Sequence, residues 1–256
     1  MNDQTITDTP LHAYRVSTPP DIDPAAHCHA CSARFHAFCG ALNDEALIRL
    51  SAMTTEMRFR APQTIIYEDD SAEHAYNLCS GVVRVTKMLP DGRRQITGFL
   101  FPGDFMGLTH KDAYGYSVEA VTDVDLCRFP RDRLMSLFEE SPEMERKLLA
   151  MATDELSSAQ EQILLLGRKT ARERLASFIL KLSRMANGRG EQGDPVALPM
   201  SRADIADFLG LTIETVSRTL TKLGKEGLIH LENAHSVRIL RKDKLEDVEV
   251  GADRDQ

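Results

Sequence analysis

Residues Leu198 to Leu240 read LPMSRADIADFLGLTIETVSRTLTKLGKEGLIHLENAHSVRIL. Ser201 can cap a helix with Asp204 at the third helical position, a capping-box arrangement, and Gly210 ends that helix. Thr212 can cap a second helix that runs to about Leu223. Two short helices joined by a three-residue turn containing glycine, with small Ala206 at the crossing and apolar Ile205, Leu209, Leu211 and Val216, form a helix-turn-helix pattern. GLIHLENAHSVRIL then reads as a two-stranded wing turning at Asn233-Ala234. On the second helix Glu214, Ser217 and Arg218 stand at i, i+3 and i+4, so they share one face, and that face is otherwise not apolar. Arginine matches the O6/N7 edge of guanine, glutamate accepts from the cytosine amine, and serine is adaptable. An exposed Glu214–Arg218 ion pair without function is the bland alternative. The surrounding helix-turn-helix favours base reading.

The whole chain has 256 residues and a net charge of -8, which by itself argues against a nucleic-acid partner. The distribution reverses that. Gly167 to Arg241 carries 13 Lys+Arg against 8 Asp+Glu, leaving 18 against 31 elsewhere. Such asymmetry marks a nucleic-acid module joined to an acidic partner domain. A hydrophobic fraction of 42% and a charged fraction of 27% suit a soluble globular protein. No apolar run approaches the ~18 residues of a membrane span, and the polar, acidic first residues lack the features of a signal peptide. The expected location is the cytoplasm, where clustered thiols more often bind metal or do redox chemistry than form structural disulfides.

Residues 1–26 hold four prolines and little apolar periodicity and are expected to form a mobile tail. A short helix is expected over NDEALIRLSAM, and from Arg58 to Pro130 the pattern turns to short β-rich stretches. Turn dipeptides such as Ser80-Gly81 and Pro102-Gly103 punctuate them, which implies a β-roll or jelly roll. A helical section follows from about Ser141. Within it Leu149, Ala152, Leu156, Ala159, Ile163 and Leu166 recur at intervals of 3 and 4, a heptad seam narrow enough to suit a partner helix. The domain scheme is therefore a tail (1–26), a cysteine segment with a β-roll sensor domain (27–140), a dimerisation helix (141–169), a winged helix-turn-helix (170–241) and an acidic C-terminal tail (242–256). The fold class is α+β.

HCHACSARFHAFC, His27 to Cys39, gathers three of the chain's five cysteines. Cys28, Cys31 and Cys39 have the spacing C-x2-C-x7-C. Four-thiolate ligation of an iron–sulfur cluster, a zinc knuckle using Cys28, Cys31, His36 and Cys39, and a thiol–disulfide switch all remain open on these residues. His27, His29 and His36 are expected to be solvated, and Cys79 to be a buried free thiol beside Leu78. Strand alternation sets Cys127 opposite Val124 and Leu126, but it sets Cys79 opposite Leu78 in the same way and cannot separate the two.

The order β-roll, long helix, C-terminal winged helix-turn-helix resembles the CRP/FNR superfamily of bacterial transcription regulators. RRQITGFLFPGDFMGL, QILLLGRKTARERLASFILKLSRM and LGLTIETVSRTL resemble its FNR-type members, the FnrN, FnrL and FixK relatives. The catabolite activator branch holds cyclic AMP with an Arg-Ser pair after its GDFMG equivalent. This chain has LTHKDAYGYSVEA there, so no cyclic nucleotide is expected, and Ile213 stands where that branch has a base-contacting arginine. The resemblance implies a 4Fe-4S cluster held by Cys28, Cys31, Cys39 and Cys127, the last in VDLCRFP, although the Cys31–Cys39 interval is longer than in the enterobacterial type. It further implies a homodimer that binds palindromic TTGAT-like sites in double-stranded DNA at low oxygen through Glu214, Ser217 and Arg218, recruits RNA polymerase, and is not an enzyme. A cluster-free regulator with zinc or redox-active cysteines is the alternative. An iron–sulfur electron-transfer protein is disfavoured, because nothing resembles a catalytic constellation or a GxGxxG motif.

Overall fold

The computed structural model describes residues 14–15, 25–191 and 193–252. The expected mobile tail thus lies largely outside the described residues; within it Tyr14–Arg15 forms strand β1, paired with Arg58 and Met57.

Strands β2 (Thr55–Phe59), β3 (Thr64–Ile66), β4 (His74–Ser80), β5 (Val83–Met88), β6 (Arg94–Leu100), β7 (Phe105–Met106), β8 (Ser117–Ala120) and β9 (Val124–Pro130) complete the roll. They form two antiparallel sheets, β1-β2-β9-β4-β7 and β3-β8-β5-β6. Between the sheets lie Ile66, Tyr76, Leu78, Val83, Val118 and Leu126, each from the inward set of an alternating strand. Gly81 has φ +81°, and a Cβ there would fall 2.3 Å from the Asp123 carbonyl oxygen. The Ser80-Gly81 turn therefore requires glycine.

Strand β9 is buried on both faces. Val124 and Leu126 enter the roll, while Cys127 and Phe129 point to a second core on the outer side of the same sheet. That second core is roofed by α1 (Ala26–Ala30), α2 (Asp44–Met53), α3 (Arg131–Glu140) and the first turns of α4 (Pro142–Arg168). Helix α2 is the one expected over NDEALIRLSAM; Asn43 caps it by accepting from Ala46 N at 2.9 Å, and Leu47 and Leu50 are buried. Phe38, fully buried, meets the rings of Phe105, Phe129 and Phe138 at 5.0, 5.6 and 5.7 Å and pins the cysteine segment to the sheet.

Helix α4 begins with Pro142 in its first turn, where the missing N–H costs nothing. Met144, Leu148 and Met151 pack into the second core. The adjacent stripe of Leu149, Ala152, Leu156, Ala159 and Ile163 is exposed, Leu149 at 68% and Ile163 at 69%. Leu166, the next position of the series, is half-buried because the core of the C-terminal domain packs against it. Arg174 fastens this junction by donating to Leu166 O, Lys169 O and Leu209 O at 2.8, 2.9 and 2.7 Å.

The C-terminal domain consists of α5 (Ala171–Gly188), β10 (Val196–Ala197), α6 (Arg202–Leu209), α7 (Ile213–Lys225), β11 (Ile229–Asn233), β12 (Ser236–Ile239) and α8 (Lys242–Glu249). The segment expected to be an acidic tail instead contains α8, which packs on α5 with Leu245 and Val248 buried. One i,i+3 apolar pair is enough to seat so short a helix on an existing core. Phe99 of the roll meets the rings of Phe178 and Phe208 at a tilt and edge-on, and Asp204 bonds Arg84 and Arg94 at 2.9 and 3.3 Å, so the two domains share one core and one ion network.

Candidate nucleic-acid interface and cysteine pocket

Helices α6 and α7 form from the caps read in the sequence. Ser201 Oγ accepts from Asp204 N, and Asp204 Oδ2 accepts from Ser201 N, closing the capping box. Gly210 stands at φ +61°, ψ 44°, the left-handed conformation that terminates a helix. Thr212 Oγ1 then accepts from Thr215 N at 3.2 Å. Val216, Leu220 and Leu223 bury the inner face of α7, which leaves Glu214, Ser217 and Arg218 together on the outside, lining a shallow open hollow with Thr212 and Ile213. Backbone N–H at the start of α7, then the Thr212 hydroxyl, hold the Glu214 carboxyl below its usual range. It is therefore a charged acceptor at neutral pH. Lys222 and Lys225 are exposed in the last turn.

The wing turns at Asn233, whose Oδ1 accepts from His235 N at 2.7 Å, and β10 adds a third strand, Val196 opposite Val237. His230 and Arg238 face one another across it.

All five cysteines, as free thiols, line one pocket between the N-terminal segment and the outer face of β4 and β9. Cys28, Cys31 and Cys39 come from the segment. Cys127 comes from β9 and Cys79 from β4, whose Sγ lies 3.4 Å from Cys127 Sγ. The pairing of Leu78 with Leu126 and of Asn77 with Cys127 sets both thiols on the same face of neighbouring strands. Backbone hydrogen bonds within the segment include Cys31 N to Cys28 O and Gly40 N to Ala37 O. Burial raises the Cys28 thiol and pushes Cys39 up to about 12. Hydrogen bonding to Cys79, then burial, raises Cys31; hydrogen bonding to Cys127 and burial raise Cys79. A cation in the pocket would relieve all four by favouring thiolate.

His27, expected in solvent, lies beside the pocket: its Nε2 is 3.6 Å from Cys127 Sγ and its Nδ1 is 3.0 Å from Glu56 Oε1. His29 and His36 are exposed. Asn77, 3% exposed, also lines the pocket; its Nδ2 donates to Leu78 O at 3.4 Å and its Oδ1 has no partner among the described residues.

Two family models match. A cyclic nucleotide-binding domain covers residues 56–141 and a Crp-like helix-turn-helix domain covers residues 173–248. Nitrogen fixation regulation protein FixK of Bradyrhizobium diazoefficiens is 41% identical over 81% of this chain and 88% of its own length. Transcriptional activatory protein AadR of Rhodopseudomonas palustris is 43% identical over 86% and 91%, respectively. The solved structure of FixK2 from Bradyrhizobium japonicum superposes with a TM-score of 0.72 at 39% identity, covering 77% of this chain and 97% of that one.

The chain belongs to the CRP/FNR family. Its similarity to FixK, AadR and Transcriptional activator protein FnrL of Cereibacter sphaeroides, 37% identical over 82% of this chain and 86% of FnrL, sets it among the FNR-type members. As a CRP/FNR protein it is a DNA-binding transcription regulator and not an enzyme. No described helix is long and apolar enough to cross a membrane. The family's roll is here filled by Tyr76, Met106, Tyr114 and Leu126, and Tyr116 Oη accepts from Gly107 N at 2.9 Å.

Within this CRP/FNR fold the structure brings Cys28, Cys31, Cys39 and Cys127 together, as it does Glu214, Ser217 and Arg218. Sequence reasoning left Cys79, His27, Glu56 and Asn77 out of the site. Alternation gave Cys79 and Cys127 the same orientation, but only the pairing of β4 with β9 makes that a contact.

Proposed function

We propose that this regulator is oxygen-responsive, holding a 4Fe-4S cluster through Cys28, Cys31, Cys39 and Cys127 and acting in the cytoplasm as a homodimer on palindromic TTGAT-like sites. The observation that carries the reading is the convergence of these thiols in one buried pocket against the start of α4. The donor set fits: four thiolates suit such a cluster. When bound, the cluster supplies lability toward oxygen.

The chain's own residues supply the rest. Phe38 and Cys39 belong to the core that also receives Met144, Leu148 and Met151 of α4. Whatever sets the position of the N-terminal segment therefore bears on the helix that carries the exposed seam. A second copy would cover Leu149, Ala152, Leu156, Ala159 and Ile163, and two-fold symmetry would present two copies of α7 to successive major grooves. There Arg218 and Glu214 read base edges while Lys222 and Lys225 meet phosphates. The relatives named as activators support recruitment of RNA polymerase from the bound site.

Purification without oxygen, followed by iron and acid-labile sulfide analysis, tests the reading. Equal iron and sulfide, amounting to one cluster per chain and lost when Cys28, Cys39 or Cys127 becomes serine, is expected. A colourless protein without iron from cells replete in iron would overturn it.

A further inference from the structure

The pocket contains a second donor set whose shape differs from the first. Cys79 Sγ and Cys127 Sγ are 3.4 Å apart, Cys127 Sγ and His27 Nε2 are 3.6 Å apart, and the three ligand atoms all lie within 4.8 Å of one another. For tetrahedral zinc, with Zn–S of about 2.3 Å and Zn–N of about 2.0–2.1 Å, the expected edges are about 3.8 Å between sulfurs and about 3.6 Å between sulfur and nitrogen. The Cys127–His27 separation matches its edge and the Cys79–Cys127 contact is about 0.4 Å shorter than its own, so a small parting of the two sulfurs would seat one ion among the three. The whole pocket, lined by all five cysteines and His27, encloses about 10 Å³, room for a single water or ion, so a cluster would enter only with the N-terminal segment moved away from the sheet.

The surroundings of His27 point the same way. Its Nδ1 lies 3.0 Å from the Glu56 carboxylate, an acceptor for Nδ1–H, while Nε2 faces the Cys127 sulfur, so the tautomer that suits Glu56 also presents the Nε2 lone pair to an ion. A carboxylate behind a histidine is the usual outer shell of a metal-bound imidazole. Cys31, hydrogen-bonded to Cys79, is the thiol next in reach.

We propose that the chain, when it carries no cluster, binds one zinc-class divalent cation through His27 Nε2, Cys79 Sγ and Cys127 Sγ, with Cys31 as fourth ligand and Glu56 positioning His27. Binding converts three thiols to thiolates and releases three protons to solvent, while neutral His27 gives its lone pair. Because Cys31 and Cys127 belong to both sets, this occupancy and the cluster exclude one another. The site does not depend on the cluster reading, since His27 and Cys79 are not cluster ligands.

The test is a titration of the full chain, purified without oxygen, iron or sulfide, with cobalt(II). Intense tetrahedral d–d absorption and thiolate-to-cobalt charge transfer at one equivalent are expected. His27→Ala and Cys79→Ser should abolish that spectrum. Glu56→Gln, which leaves every donor in place, should keep the spectrum and weaken affinity by about 10- to 100-fold. Cys28→Ser and Cys39→Ser should keep the cobalt site while losing any cluster, so the two readings fail separately. A wild-type chain without tetrahedral bands, or His27→Ala and Cys79→Ser chains that titrate like wild type, would overturn the proposal.

Discussion

Replacing Ile163 by glutamate attacks the seam at a point where one chain alone should not notice. Ile163 is 69% exposed, so the change removes almost no burial within the chain, and folding should shift by no more than about 0.5 kcal/mol. In a two-fold dimer the same change occurs twice across one interface. Burying an isoleucine is worth about 1.5–3 kcal/mol, so two lost copies amount to roughly 3–6 kcal/mol before any cost of burying two carboxylates. At about 1.4 kcal/mol per decade, dimer dissociation should rise by two to four powers of ten. Sedimentation equilibrium over a range of protein concentrations would show it, with thermal unfolding of the dilute chain as control. DNA affinity should fall with the dimer. An unchanged dimer at micromolar protein would mean that this stripe is covered by something other than a second α4.

Arg218→Ala should cost about 1–3 kcal/mol per half-site at one base pair and relax preference there, read by binding to single-base variants of the site; an even loss across all sequences would refute base reading. Lys222→Ala and Lys225→Ala should weaken every sequence alike and reduce the salt slope by about one for each phosphate no longer neutralised, measured as log affinity against log salt. Cys127→Ser should abolish the anaerobic visible absorption, and Cys79→Ser should leave it largely intact; the reverse pattern would exchange their roles.

The helix-turn-helix was legible because its determinants are local. Ser201, Asp204, Gly210 and Thr212 act within four residues of where they stand, and each occupies the cap or turn expected of it. Period picks out the stripe from Leu149 to Ile163 that the structure leaves exposed, while Leu166, the last position of the same heptad series, is half-buried against the C-terminal core, a contact that no local pattern encodes. Helix α8 was missed because its apolar content, Leu245 and Val248, is too sparse to declare a face in an acidic stretch. The cysteine pocket was legible only in part. Cys28, Cys31 and Cys39 announce themselves by spacing, whereas Cys79 reaches Cys127 through strand pairing 48 residues apart, and His27 reaches Glu56 through a fold that no local pattern encodes.

The central claim is that oxygen, acting at the cysteine pocket, sets DNA affinity at α7. Fluorescence anisotropy on a labelled palindromic TTGAT-like duplex, with one anaerobic cluster-loaded preparation titrated before and after exposure to air, tests it most directly. Tight, salt-sensitive binding is expected before air, and a loss of at least tenfold after it, in step with bleaching of the visible absorption. Equal affinity before and after, with the absorption gone, would contradict it.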